Sequence, residues 1–194
     1  MSAKAQPQLA LTFDEYLALD REAEVRSEFA NGQMLAMAGG SREHALIAHN
    51  LNTAFGLQFK NRQCFTFGSD MRLAVMTKKH GRYPDLSLIC GQPLFYQRDT
   101  LTNPTVLIEV LSKSTEAEDR GIKAEEYRTL PSLQEYLLIA QDRYHVEHYV
   151  RQSDQQWLLT EYRELHETIA LNSINCQLRL ADIYDKWELL SDEA

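Results

Sequence analysis

No two cysteines in this chain stand at metal-ligand or redox spacing; Cys64, Cys90 and Cys176 are far apart. An odd count without a C-x-x-C pair predicts reduced, buried thiols and a cytosolic (cytoplasmic) protein. No apolar run approaches the ~18 residues that a membrane helix needs. The segment Met1 to Pro7 is polar and lacks a signal-peptide core, so a membrane partner is excluded. An excess of positive charge is missing too: 20 Lys and Arg face 28 Asp and Glu, for a net charge of -8. That balance excludes a general polyanion binder and leaves nucleic acid only local basic patches and bound metal to meet. Around Ser112, Ser114 and Thr115 the glycines of a nucleophile elbow or a phosphate loop are wanting. Internal repeats, low-complexity segments and linker-like stretches are not found.

What is present fits one α/β domain spanning residues 1–194, with its core over about 12–184. Thr12-Phe13-Asp14-Glu15 is a capping box opening a helix through Leu19. Asn31-Gly32 is the strongest hairpin signal, with strands predicted over Arg26–Ala30 and Gln33–Met37. Ser41 caps a helix to about Phe59, in which His44, Ala48, Leu51 and Phe55 share a face. Strands follow at Cys64–Phe67, Met71–Met76 and Asp85–Cys90, with a basic loop from Thr77 to Arg82 before the last. Gly91 to Pro104 reads as a connection without regular structure, and Thr105–Leu111 as the next strand. A second capping box, Thr115 to Glu118, opens a helix that ends before Pro131 and packs back over the sheet to bury Ile122 and Tyr127. Leu133–Ile139, Tyr144–Val150, Trp157–Tyr162 and Cys176–Leu180 are further strands, and a short amphipathic helix about Ile183, Trp187 and Leu190 ends the chain.

The chemistry concentrates between Arg82 and Lys123. Pro84-Asp85 by itself fits a strand-opening turn with a solvated acid as well as it fits a ligand. Glu109 is different, because it is flanked by Leu107, Ile108, Val110 and Leu111, and burying it is costly unless a cation or donors meet it. An edge strand that turns Glu109 to water is the alternative. Lys123 lies four residues after Asp119, a spacing that also suits a surface ion pair of about 0.3–0.5 kcal/mol. His44 alone fits a satisfied core histidine, and Glu28 alone says little. His145 and Glu147 share one strand face and His148 takes the other, which reads as surface decoration.

Taken in order, Glu28, Asn31-Gly32, His44, Tyr83-Pro84-Asp85, Ile108-Glu109-Val110-Leu111-Ser112, Asp119-Arg120-Gly121-Ile122-Lys123 and Tyr127-Arg128 through Pro131 to Tyr136 resemble the Uma-type family. These are restriction endonuclease-like proteins of the PD-(D/E)XK nuclease superfamily. The resemblance covers Thr12 to Tyr184 and is most specific over Ile108–Lys123. It implies a restriction endonuclease-like α/β fold, a mixed, bent β-sheet flanked by helices, with an acidic metal site at one sheet edge. Asp85 and Glu109 match the motif acids. Leu111 stands where the motif lysine belongs, and Lys123 occupies the place of a lysine that has migrated to the following helix. His44 and Glu28 match a histidine and an acid around the first hairpin.

The expected activity is that of a Mg²⁺- or Mn²⁺-dependent endonuclease on DNA. Asp85, Glu109, the Val110 carbonyl and Glu28 are the candidate metal ligands. Lys123 is the candidate catalytic lysine, and His44 contacts phosphate or a metal-bound water. Lys78, Lys79 and Arg82 form a basic lip for the DNA backbone. Apolar surface on the late strands (Tyr144, Val146, Tyr149, Trp157, Leu159) points to a homodimer. Two other readings fit the residues: a binding or regulatory module that keeps the fold without cutting, and a carbohydrate or ester hydrolase using Asp85 and Glu109 as an acid–base pair.

Overall fold

A computed structural model describes residues 10–37 and 39–191; the polar segment Met1 to Pro7 lies outside the described residues. The chain opens with α1 (Phe13–Glu22), whose capping box forms as the sequence predicts: the Thr12 hydroxyl accepts from the Glu15 N–H while the Glu15 carboxylate accepts from the Thr12 N–H. The hairpin β1 (Ser27–Ala30) and β2 (Gln33–Ala36) turns on Asn31 and Gly32, both left-handed at φ 51° and 79°, as a tight two-residue turn demands. Gly32 is also sterically required, since a Cβ there would stand 2.6 Å from that of Ala10. Ser41 then caps α2 (Arg42–Phe59), accepting from the His44 N–H.

Next come β3 (Cys64–Gly68), β4 (Arg72–Val75), β5 (His80–Arg82), β6 (Leu86–Cys90), β7 (Phe95–Tyr96), β8 (Thr100–Leu101) and β9 (Val106–Leu111). The expected basic loop thus ends as a strand over His80–Arg82. The stretch from Gly91 to Pro104, expected to be irregular, contributes two short strands, β7 and β8, between its prolines. The following helix runs as α3 (Glu116–Glu118), a π turn (Asp119–Lys123) and α4 (Ala124–Arg128). The second capping box does not form: Thr115 takes a helical conformation and makes no side-chain cap. The late elements are β10 (Glu135–Ala140), β11 (Val146–Ser153), β12 (Gln156–Tyr162), β13 (Thr168–Leu171), β14 (Cys176–Arg179), α5 (Leu180–Ile183) and α6 (Glu188–Ser191).

The strands form two six-stranded sheets, ordered β2-β1-β5-β4-β8-β7 and β12-β11-β10-β9-β6-β3, and a separate β13–β14 hairpin. Both large sheets are mixed: β9–β10 and β4–β8 are parallel and the other pairs antiparallel. Alternation along β9 splits the core in two. Val106, Ile108 and Val110 face Ile47, Leu51 and Phe55 of α2. Leu107 and Leu111 face Tyr127, Tyr136 and, from β4, Leu73 and Val75. On the far side of the first sheet, α1 packs Phe13, Tyr16 and Leu17 on Phe29 and Ala74. Glu109 therefore belongs to the face shared by both sheets and the α3–α4 segment, on a strand interior to its sheet rather than at an edge.

Two sequence expectations fail here for reasons of register and rotation. Cys64 stands directly opposite Cys90 on the antiparallel pair β3–β6, and the two are joined in a disulfide. Only Cys176 is a free, buried thiol, so the expectation of three reduced thiols, and the cytosolic reading built on it, loses its ground. Ile122, expected to be buried, is 59% exposed, because it lies one residue off the face that carries Lys123 and Tyr127 inward. No helix among the described residues is long and apolar enough to cross a membrane.

The disulfide closes a loop over a sequence separation of 26, worth roughly 3 kcal/mol by chain entropy. Reductant should lower the thermal midpoint by about 6–12 °C for a chain of this size. Thiol titration of the denatured, unreduced protein should find one thiol, from Cys176; three would refute the bridge.

Candidate active site

The acids converge where β6 and β9 part. Their ladder pairs Leu86 with Ile108 and goes no further, so Tyr83-Pro84-Asp85 swings away and leaves a notch. Proline explains the divergence, since it has no N–H to extend the ladder. In the notch the Val110 N–H donates to Asp85 Oδ2 at 2.7 Å, and the Asp85 N–H donates to Glu109 Oε2 at 3.3 Å. His44 Nε2 comes from the α2 side to 3.1 Å from Asp85 Oδ2. Tyr127 donates its hydroxyl to Glu109 Oε1 at 2.8 Å from the opposite face of the sheet.

Lys123 is buried and enters this group from the π turn. Its Nζ lies 3.1 Å from Asp119 Oδ1, 3.3 Å from Glu28 Oε1 and 3.6 Å from Glu109 Oε1. The Asp119–Lys123 pair is thus an interior ion pair, not a surface one. Single π turns inside a helix often accompany functional sites, and this one holds both residues. The structure brings together Asp85, Glu109, Lys123, His44 and Glu28. Lys113, by contrast, is exposed in the turn after β9.

Sequence reasoning missed two members. Asp119 adds a fourth carboxylate, for which its place one helical turn before Lys123 was the available signal. Tyr127 adds a hydroxyl donor, where the sequence offered only a packing role. Arg82 is a correction: expected on an exposed lip, it is fully buried. It is bonded bidentately to Glu126 at 2.8 and 2.9 Å, to Glu28 at 2.8 Å and to Glu118 at 2.9 Å. Glu28 is fixed from three sides, by Arg82, by Lys123 and by the Tyr83 N–H at 3.2 Å. Behind Arg82, His80 accepts from the Asn31 N–H at Nε2, which leaves Nδ1–H to donate to Glu126.

His145, Glu147 and His148 are corrected as well, because all three are buried. The expected face division holds. His148 meets Glu135 at 2.5 Å. His145 bonds Glu161 at 3.0 Å, and Glu147 is held by Arg120 and by the Tyr149 hydroxyl at 2.9 Å. His145, Glu147 and Glu161 could hold a metal ion by proximity, yet Arg120 and Arg163 already neutralise the two carboxylates.

Three carboxylates share one ammonium in the main cluster and Asp85 stands beside them, and burial pushes Glu109 well above its usual 4.5, more than Lys123 pulls it back. Burial likewise raises Asp119 against the opposing pull of Lys123. Burial would lower Lys123, but Glu109, Glu28 and Asp119 outweigh it and hold the ammonium above its usual value. Crowded carboxylates at this spacing do not all ionise at once, so we read an ionised Lys123 among acids that retain protons. The hydrogen bond to Asp85 raises His44 against the cost of burial.

These shifts set a pH dependence. Glu109 and Asp119 are raised from 4.5 and 3.8, and His44 from 6.5. A group with a raised folded-state value binds more protons when folded, so its contribution is complete below the unfolded value and lost as pH rises through the folded one. The carboxylates with lowered values, among them the more buried Glu126, Glu135 and Asp99, act in the opposite sense but finish below about pH 5. Metal-free protein should therefore lose thermal stability steadily from pH 5 to 8. A flat or rising midpoint over that interval contradicts the cluster as described.

The Uma2 family, described as "Putative restriction endonuclease", matches residues 13–181. The chain belongs to the Uma2 family. Two Synechocystis proteins are similar to it. The uncharacterized protein sll1609 is 42% identical over 153 residues, 78% of this chain and 86% of that protein. The uncharacterized protein slr1290 is 32% identical over 174 residues, 90% of this chain and 91% of that protein. Among solved structures, a protein described as "a putative nuclease belonging to DUF820" from Anabaena variabilis superposes with a TM-score of 0.73 at 20% identity, covering 91% of this chain and 98% of its own. That likeness shows the Uma2 chain to have the fold of this neighbour, mixed sheets flanked by helices.

Proposed function

We propose that this Uma2 protein is a divalent-metal-dependent endonuclease that hydrolyses DNA phosphodiester bonds at the Asp85–Glu109–Lys123 cluster. The observation that carries the reading is the convergence of three buried carboxylates, Glu28, Glu109 and Asp119, on Lys123, with half-buried Asp85 joined to Glu109 through its N–H. Such a set of hard oxygen donors carries surplus negative charge and fits Mg²⁺ or Mn²⁺. Asp85 and Glu109 are the proposed ligands, with Glu28 available to a second ion. The Val110 carbonyl, which leaves its strand on the same side as the N–H bonded to Asp85, is the proposed main-chain ligand. When bound, the cation would acidify a water and neutralise charge growing on the scissile phosphate. Lys123, a compact cation that can donate three hydrogen bonds, orients the attacking water and stabilises the transition state. Tyr127 fixes the Glu109 carboxylate, and Arg82 with the Tyr83 N–H fixes Glu28. His44 holds Asp85 and contacts phosphate. The test is cleavage of supercoiled plasmid and short duplexes in Mg²⁺ against chelator. Cleavage confined to Mg²⁺ or Mn²⁺ supports the proposal, and equal cleavage in chelator supports the acid–base hydrolase instead.

A specific observation favours the non-cleaving binding module as the second reading. The net charge is -8, and burial of Arg82 leaves Lys78 and Lys79 as what remains of the lip. Binding of DNA without any cleavage in either metal would select it. We also infer a homodimer through the outer edge of β12, where Leu158 and Leu159 are exposed and Trp157 is half-buried. Val146, one of the residues expected on that surface, is fully buried and takes no part. Light scattering at tens of micromolar should give twice the chain mass; a monomer removes the inference.

A further inference from the structure

A cleft of about 440 Å³ opens away from the carboxylate cluster, between α1, the β1–β2 turn and the β4–β5 turn. Its volume falls in the range of small-ligand sites, roughly 300–1,000 Å³. Alternation along β1 sends Glu28 toward Lys123 and Phe29 to the opposite face, into the cleft. Aromatic rings line it: Phe13 lies 5.9 Å from Tyr96 and 6.1 Å from Phe29, centroid to centroid. Lys78 and Lys79 stand exposed on its rim, and neither has an ion-pair partner among the described residues. Lys79 is held in the left-handed region at φ 54°, a conformation that costs a lysine roughly 1–2 kcal/mol. Asp14 shares the rim, with its Oδ1 occupied by the Tyr96 hydroxyl at 2.9 Å and Gln97 at 3.2 Å.

Two unpaired cations beside an aromatic floor match the chemistry of a nucleotide, phosphate on the lysines and base against the rings. We propose that the cleft takes one unstacked nucleotide of a single-stranded nucleic-acid segment, the phosphate between Lys78 and Lys79 and the base against Tyr96, the half-buried ring that lies over the buried Phe13 and Phe29. The inference rests on the reading that the chain acts on DNA, and it adds where a strand leaving the cluster is gripped. Lys79 is six residues from Asp85 along the chain, a reach of at most about 20 Å. At the stacked rise of about 3.4 Å per nucleotide, no more than about six nucleotides cover that distance.

The test is anisotropy of a labelled eight-nucleotide single-stranded DNA with wild type in chelator, so that cutting plays no part. Tyr96→Ala should weaken binding by about 5- to 150-fold, and Tyr96→Trp should retain it. The Lys78→Gln, Lys79→Gln double variant should weaken binding and reduce the salt slope by about 0.7 for each phosphate no longer neutralised. Free deoxyadenosine monophosphate should bind far more weakly than the oligonucleotide. Absent binding by wild type, an unchanged affinity in Tyr96→Ala, or equal affinity for the free nucleotide overturns the proposal. Duplex cleavage in Mg²⁺ by wild type is scored separately, so failure of the cleft and failure of the nuclease reading are told apart.

Discussion

Lys123→Ala will abolish DNA cleavage while leaving the response to Mg²⁺ intact or enlarged. The ammonium sits within 3.1–3.6 Å of Asp119, Glu28 and Glu109, where it neutralises part of the cluster and faces the proposed position of the attacking water. Losing one preorganised group of this kind typically costs about 10²–10³ in rate, which takes a slow nuclease below detection. The same deletion leaves buried carboxylates without their cation. They will take up protons, and a divalent ion will then relieve more repulsion than in wild type. Lys113→Ala should retain most activity, because Lys113 is exposed in the turn beyond β9. Loss of activity in Lys113→Ala with retention in Lys123→Ala would assign the role to the other lysine.

Asp85→Asn and Glu109→Gln will each erase the metal-induced rise in melting temperature. With ion at about 100 times its Kd, binding contributes about 2.7 kcal/mol, a rise of roughly 5–10 °C for a chain of this length. The two variants should move by less than about 1 °C. Glu109→Gln has a second, opposite effect at neutral pH: it removes the acid that burial penalises most, and the amide oxygen still accepts from Tyr127. Its metal-free midpoint should therefore equal or exceed that of wild type. A large metal response surviving in both variants would place the ion elsewhere, for instance among His145, Glu147 and Glu161.

Local signals carried much of the fold. Thr12 with Glu15, Asn31 with Gly32, and Ser41 each name their own turn or cap through contacts within three residues, and each forms as read. The grouping of the candidate site's residues was also legible, because an acid inside Leu107–Leu111 has few ways to be satisfied and the family resemblance points to Lys123 as its partner. What sequence hid depends on partners remote in the chain. The burial of Arg82 is decided by Glu28, 54 positions before it, and by Glu126, 44 after it. The Cys64–Cys90 bridge depends on the register of β3 on β6, and a slip of one residue would point the two thiols to opposite faces. Ile122 looked like core because it is apolar, yet the inward face of its helix is claimed by Lys123 and Tyr127. The apolar content of a motif thus misled where its charged members were the buried ones.

The most direct measurement is anomalous diffraction from crystals grown or soaked in Mn²⁺. The account predicts a peak bounded by the carboxylates of Asp85 and Glu109 with Lys123 Nζ close beside it. Manganese bound elsewhere, with Lys123 still paired to Glu28, Glu109 and Asp119 and no peak between Asp85 and Glu109, would contradict it.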